Sequence, residues 1–274
     1  MAVNFDINSF VIDHPTRAIS LNSDDTIAWY TNQIQDFSVK VDGEEETKKD
    51  ANGNTIATIT RGKTCTVNFN VAVFDLNIIA AQNGTKKEVA GADVTSINAP
   101  IFEEIKITAD NQEEIVLRHK VRGVGGTYKL NVTTLTNDGA PKKIFKQGAA
   151  AAEGVFTYAD GTKTVSFYTG DLAVGDTVLI VYEYDAKEAV RVAARGTDFP
   201  KSSKLYIELR GFDVCDQNTL IYAYYRFPNA KLKSSYQDDL KLDSTIPMEF
   251  DCAVDYCGED KNFYDLVVPN SAEA

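Results

Sequence analysis

Short runs of Val, Ile, Thr, Tyr and Phe, separated by Gly, Asn and Asp, recur along nearly the whole chain, and this leaves little room for anything but a β fold. Such runs fall at 28–41, 54–62, 64–74, 101–109, 113–121, 126–135, 154–159, 162–168, 177–185, 204–214, 220–227 and 246–254, which predicts an all-β protein. The stretch "IYAYYRF" is the most demanding of them. Its odd positions are Ile221, Ala223, Tyr225 and Phe227, and its even positions Tyr222, Tyr224 and Arg226, so neither face is plainly polar. One face meets the core. The other needs a second cover, such as a loop, a helix or another copy of the chain, and the strand is expected to stop at Pro228. One helix is predicted at 75–84, with Asp75 as N-cap, Leu76, Ile79 and Ala80 on one face, and Asn83-Gly84 as the stop.

The chain has 274 residues, enough for one large β domain or two smaller ones. It carries 40 acidic and 28 basic residues, a formal charge of −12, and no segregated basic patch. That balance disfavours nucleic-acid and acidic-membrane binding. The first twenty residues lack a basic region followed by an apolar one, and no run of about 18 apolar residues occurs, so the chain is expected to be made in a cytoplasm. The four cysteines, Cys65, Cys215, Cys252 and Cys257, lie in or beside apolar runs and are expected to be buried free thiols.

Two regions break the even spacing of strands. Residues 39–63 hold two alternating runs around a highly charged segment that ends in turn chemistry at Asn52-Gly53-Asn54. This predicts a long hairpin arm, set against the plainer reading of a solvated loop. Residues 124–190 contain short strands, the low-complexity "KQGAAAAEG", and turn signals at Asp160-Gly161 and Gly175-Asp176. They read either as an inserted β module or as an elaboration of the main sheet. With insertion, the core spans 1–123 and 191–274 and the module 124–190.

Residues able to do chemistry are scarce. His14 sits in a turn-like Asp-His-Pro and His119 is expected within a strand, and neither has a triad around it. No nucleophile elbow, phosphate-binding loop or zinc-protease motif occurs. Cys252 and Cys257 are five apart, a spacing that points strand side chains to opposite faces, and no second ligand pair accompanies them. No catalytic residue, cofactor site or metal site is assigned, and an enzyme is not expected.

The order of features resembles phage tail tube proteins, also called major tail proteins. Residues 41–71 are similar to the family's strand pair with a long charged hairpin, and 74–84 to the short helix that follows. Residues 199–255 are similar to its closing strands, in which a long strand ends at a proline and the chain returns through a polar Asp243…Pro247 turn into a last core strand. The resemblance implies a β-sandwich or barrel-like tail tube fold with one flanking helix, a long hairpin arm and an inserted module that decorates the tube exterior. It also implies a structural virion protein of the tail, made in the host bacterial cytoplasm. Copies would form stacked hexameric or hexamer-like rings, join other phage tail proteins, and pass DNA transiently and without sequence preference, with no membrane partner. On this resemblance, Asp42, Gly43, Glu44, Glu45, Glu46, Thr47, Lys48, Lys49, Asp50, Asn52, Gly53 and Asn54 form the inter-ring arm. Tyr222, Tyr224 and Arg226 are the candidate subunit interface. A capsid decoration or other β-sandwich virion protein, and a glycan-binding adhesin using Trp29 or tyrosines, are the alternatives.

Overall fold

The computed structural model describes residues 7–124, 127–215, 218–237, 244–256 and 261–270. In chain order the elements are β1 (Phe10–Leu21), β2 (Ile27–Thr31), β3 (Ile34–Lys49), β4 (Thr55–Val71), α1 (Leu76–Gln82), β5 (Glu88–Val89), β6 (Ile97–Lys106), β7 (Glu114–Val116), β8 (Gly123–Val124) and β9 (Thr127–Tyr128). They continue with β10 (Leu130–Leu135), β11 (Pro141–Gln147), β12 (Val155–Ala159), β13 (Thr164–Ser166), β14 (Thr177–Ala186), β15 (Val190–Arg191), β16 (Ser202–Asp213), β17 (Leu220–Leu232), β18 (Ile246–Cys252) and β19 (Asp265–Val267). The all-β expectation with one short helix is borne out. The chain divides into two compact units, 1–87 with 192–274, and 88–191.

The first unit is one eight-stranded sheet of order β2-β1-β16-β17-β18-β4-β3, with β19 also paired to β17. Trp29 of β2 lies 6.3 Å from Phe69 of β4 and 6.2 Å from Phe250 of β18 between ring centroids. On a flat sheet β2 and β4, five strands apart in that order, would be separated by about 24 Å. The sheet therefore curls until both ends share one core, which gathers Ala18, Trp29, Val67, Phe69, Leu205, Ile207, Phe227 and Phe250. Trp29, at 3% exposure, is core material and offers no aromatic platform.

Strand β17 answers the question its aromatic residues raise. Ile221, Ala223 and Phe227 are buried, and Tyr225 packs against the same core, so the odd face points inward. The expected stop at Pro228 is corrected: the strand runs on to Leu232. Ser203 pairs with Ala230 and Leu205 with Phe227, leaving Pro228 and Asn229 opposite Lys204 alone. This is a bulge, where the missing N–H of proline costs the ladder nothing. The extra residue reverses parity, and beyond it the even residues Ala230 and Leu232 are the buried ones.

Helix α1 starts at Asp75, whose side chain accepts a 2.7 Å bond from the Asn77 amide. Its inward residues are Ile78, Ala80 and Gln82, where the periodicity pointed to Leu76, Ile79 and Ala80. Gln82 replaces an apolar residue because its amide reaches the Pro247 carbonyl at 2.9 Å. Gly84 ends the turn with φ +64°, and a Cβ there would come within 2.2 Å of the Phe199 backbone.

The second unit holds a seven-stranded sheet, β6-β14-β10-β11-β12-β13-β7, around a core that includes Ile107, Val132, Phe145, Phe156, Val165 and Ile180. Residues 88–123, which the sequence reading placed with the main core, fall in this unit, because β6 is zipped along β14 from Lys106↔Thr177 to Ile97↔Ala186. Asp171 anchors the low-complexity loop, bonding the Gly154 amide at 2.9 Å and Lys143 at 2.6 Å.

Several local expectations are also corrected. β1 and β11 carry no strand run in the sequence reading, β1 because Pro15 and the charges around it mask a strand with two register shifts. The run at 113–121 narrows to β7, so His119 lies outside any strand. Cys65 and Cys252 are buried, whereas Cys215 is exposed in the turn after β16. Its amide is held by the Asp213 carboxylate at 2.7 Å. Cys257 and Asp243 lie outside the described residues.

Candidate assembly surfaces

The register of β1, β16 and β17 assembles a three-by-three lattice on the outer face of the first sheet. Its rows are Tyr222–Arg210–His14, Tyr224–Glu208–Arg17 and Arg226–Tyr206–Ile19. The three candidate interface residues thus stand side by side along one strand edge of this lattice. Tyr222 and Tyr224 are half-buried and Arg226 is exposed.

The centre of the lattice is Glu208, with its side chain 8% exposed. It accepts a 2.6 Å bond from the Thr16 hydroxyl and pairs with Arg17 at 2.8 Å. Burial, and then the Glu208 carboxylate, push the Tyr224 phenol up from its usual range. On the row above, Asp13 bonds Arg210 at 2.8 Å and His14 at 3.0 Å, and the Arg210 hydrogen bond holds its carboxyl below the usual range. Arg226 pairs with Asp265 of β19 at 3.5 Å. The charges of this face are therefore paired within the subunit, and what it offers a neighbour is chiefly tyrosine surface. Glu208 was missed by sequence reasoning. Its only trace there is a charged residue inside the run Leu205–Leu209.

The arm is a continuous antiparallel ladder from Ile34↔Val71 to Lys49↔Thr55. Asp42 to Lys49 lie on β3, while Asp50, Asn52, Gly53 and Asn54 form the turn. Asp50 accepts bonds from the Asn52 amide at 2.9 Å and the Asn54 amide at 2.8 Å, and Gly53 adopts φ 85°. The Asn54 side chain, with those amides, holds the Asp50 carboxyl below its usual range.

Past Val41 and Cys65 no described side chain of the ribbon is buried: Glu44, Glu45, Glu46 and Thr47 are exposed on one strand, Ile56 and Ile59 on the other. An isolated two-stranded ribbon without a hydrophobic face is marginal in water. Among the described residues no strand pairs with the outer edge of β3 or β2, which leaves two open rows of backbone donors and acceptors.

Glu103 of the second unit is a buried carboxylate. Glu103 receives the Tyr182 hydroxyl and, at 3.1 Å, the Arg118 amide. Burial and Glu103 push the Tyr182 phenol far above its usual range. His119 stacks on Tyr184 with centroids 4.0 Å apart. Cys252 faces Cys65 across β18 and β4, with burial raising both thiols. No group of three or more metal-ligating side chains occurs among the described residues, and no described helix is long and apolar enough to cross a membrane.

Compared with known proteins, the chain matches the YomU/Tube protein family over residues 10–261, which bears out the resemblance to phage tail tube proteins. No curated protein matches it.

Proposed function

Because the chain belongs to the YomU/Tube protein family and is a structural protein of a phage tail, we propose that it assembles into stacked, hexameric rings that form the conduit for genome delivery. The observation that carries this reading is the arm. The outer half of a 16-residue strand, Asp42 to Lys49, and its partner extend beyond the core with both faces in solvent, a costly construction for a free monomer and a natural one for a subunit that inserts into a neighbour. The lattice of Tyr222, Tyr224 and Arg226 serves as a lateral contact within a ring, and the unit 88–191 decorates the exterior.

The protein needs no cofactor and performs no catalysis in this role. A lumen lined with more carboxylates than Lys and Arg keeps DNA free to slide, since each neutralised phosphate would add affinity. The chain is made in the host cytoplasm and ends in the tail with other tail proteins.

Electron microscopy of the purified protein tests the proposal: rings and filaments are expected in at least one salt condition. Deleting Glu44 to Asn52 should leave a folded subunit that does not elongate. A protein that stays monomeric at high concentration in every condition overturns the reading.

A further inference from the structure

A cleft of about 390 Å³ lies wholly within the first unit, between the end of β1, β2, the last turn of α1 and the start of β16. Trp29, Ala80 and Leu232 contribute its apolar lining, while Lys86, Lys87 and Lys201 stand at its rim beside Ser202 and Ser203. None of the three lysines forms an ion pair or a hydrogen bond among the described residues, although other lysines of this acidic chain, such as Lys204 and Lys233, do. Three exposed lysines around one concavity give it a positive potential, which an anion seated there lowers and salt screens.

The same chain carries exposed carboxylates of the opposite charge on its arm. Glu44 and Glu45 are exposed on the arm, on opposite faces of the open β3 edge, and form no ion pair among the described residues. From Asp42 to Lys49 the strand carries the arm about 25 Å beyond the core, and none of its residues lines the cleft. The two complementary patches sit at different places on one subunit. In the head-to-tail assembly proposed above their contact is heterologous: each copy gives an arm to one neighbour and a cleft to another, which propagates into a ring or a filament.

We propose that the cleft of Lys86, Lys87 and Lys201 receives the Glu44-Glu45 segment from the arm of a second copy. This rests on the head-to-tail assembly stated above. The lysines and glutamates are solvent-exposed, so they set partner and register and speed association more than they add affinity, and the contact weakens with salt.

A charge-exchange cycle on the full chain tests it, with elongation followed by light scattering at low and high salt. Reversing the cleft (K86E/K87E/K201E) or the arm (E44K/E45K) should slow elongation at least about 10-fold, and combining the two should return it to within about 3-fold of the parent. The neutral variant K86Q/K87Q/K201Q should elongate more slowly with most of its salt sensitivity gone. A parent-like urea midpoint followed by Trp29 fluorescence certifies the fold of each variant, because that ring sits in the core of the first unit. Cleft variants that elongate like the parent, or a combined variant no faster than either reversal alone, overturn this inference and leave the assembly reading standing. If inorganic phosphate binds the cleft and the exchange gives no rescue, the inference is likewise overturned. A parent protein that never assembles overturns both.

Discussion

Deleting Pro228 and Asn229 together would bring Ala230 opposite Lys204 and shift every later residue of that strand to the opposite face, whereas losing Pro228 alone would give a regular ladder with the native faces kept. In the native register Ala230 and Leu232 are 0% and 6% exposed, and Lys231 between them is exposed. After this double deletion the two apolar side chains face solvent and Lys231 takes the inward place of Ala230, opposite Cys252. Exposing a leucine costs about 2–3 kcal/mol and an alanine about 1, so the loss is about 3 kcal/mol before any penalty for an inward lysine. Pro228→Ala keeps the extra residue and should cost under about 1 kcal/mol. Trp29 is the chain's single tryptophan and sits in this core, so its fluorescence in a urea titration reports the first unit alone. With a slope of about 2–3 kcal/mol/M, the double deletion should lower the midpoint by about 1–1.5 M. A midpoint within about 0.3 M of the parent, or a Pro228→Ala variant as unstable as the double deletion, would refute the parity argument.

Glu208→Ala leaves Arg17 without its carboxylate and Thr16 with only the backbone carbonyl of residue 208, at 3.3 Å, and should cost about 1–2 kcal/mol in the same titration, less than a fully buried pair because Arg17 is half exposed. Tyr182→Phe strips the hydroxyl donor from buried Glu103 and should destabilise the second unit by about 1–3 kcal/mol, seen by calorimetry as a lowered transition with the Trp29 midpoint unmoved. In the arm turn the Asp50 carboxyl titrates below its ordinary value near 4. Its contribution is complete above that value and is lost as pH falls through the depressed one. The Asn52 and Asn54 amide signals should follow that step, and Asp50→Asn should abolish it. In native protein a thiol reagent should modify Cys215 first, and Cys65 and Cys252 only after urea unfolds the sheet; labelled peptides resolved by mass give the order.

Features whose physics is local could be read in the sequence. The alternation in "IYAYYRF" marks a strand with two covered faces, Asp75 followed by an apolar period marks a helix start, and Asn52-Gly53 marks the tip of the arm, because each depends on backbone preference within a few residues. The family resemblance rests on the order of such features. What depends on register across distant segments was decided only by the tertiary structure. Pro228 ends a strand by its own chemistry, yet a bulge opposite Lys204 lets the sheet continue through it. Residues 88–123 carry no composition of their own, and join the second unit because β6 finds its ladder on β14. Glu208 becomes a buried ionic centre only when Thr16, Arg17 and Tyr224 arrive from two other strands. Likewise Lys86, Lys87 and Lys201 form a cleft only because the segment after α1 meets the start of β16, and no window of sequence contains the field those three charges make together.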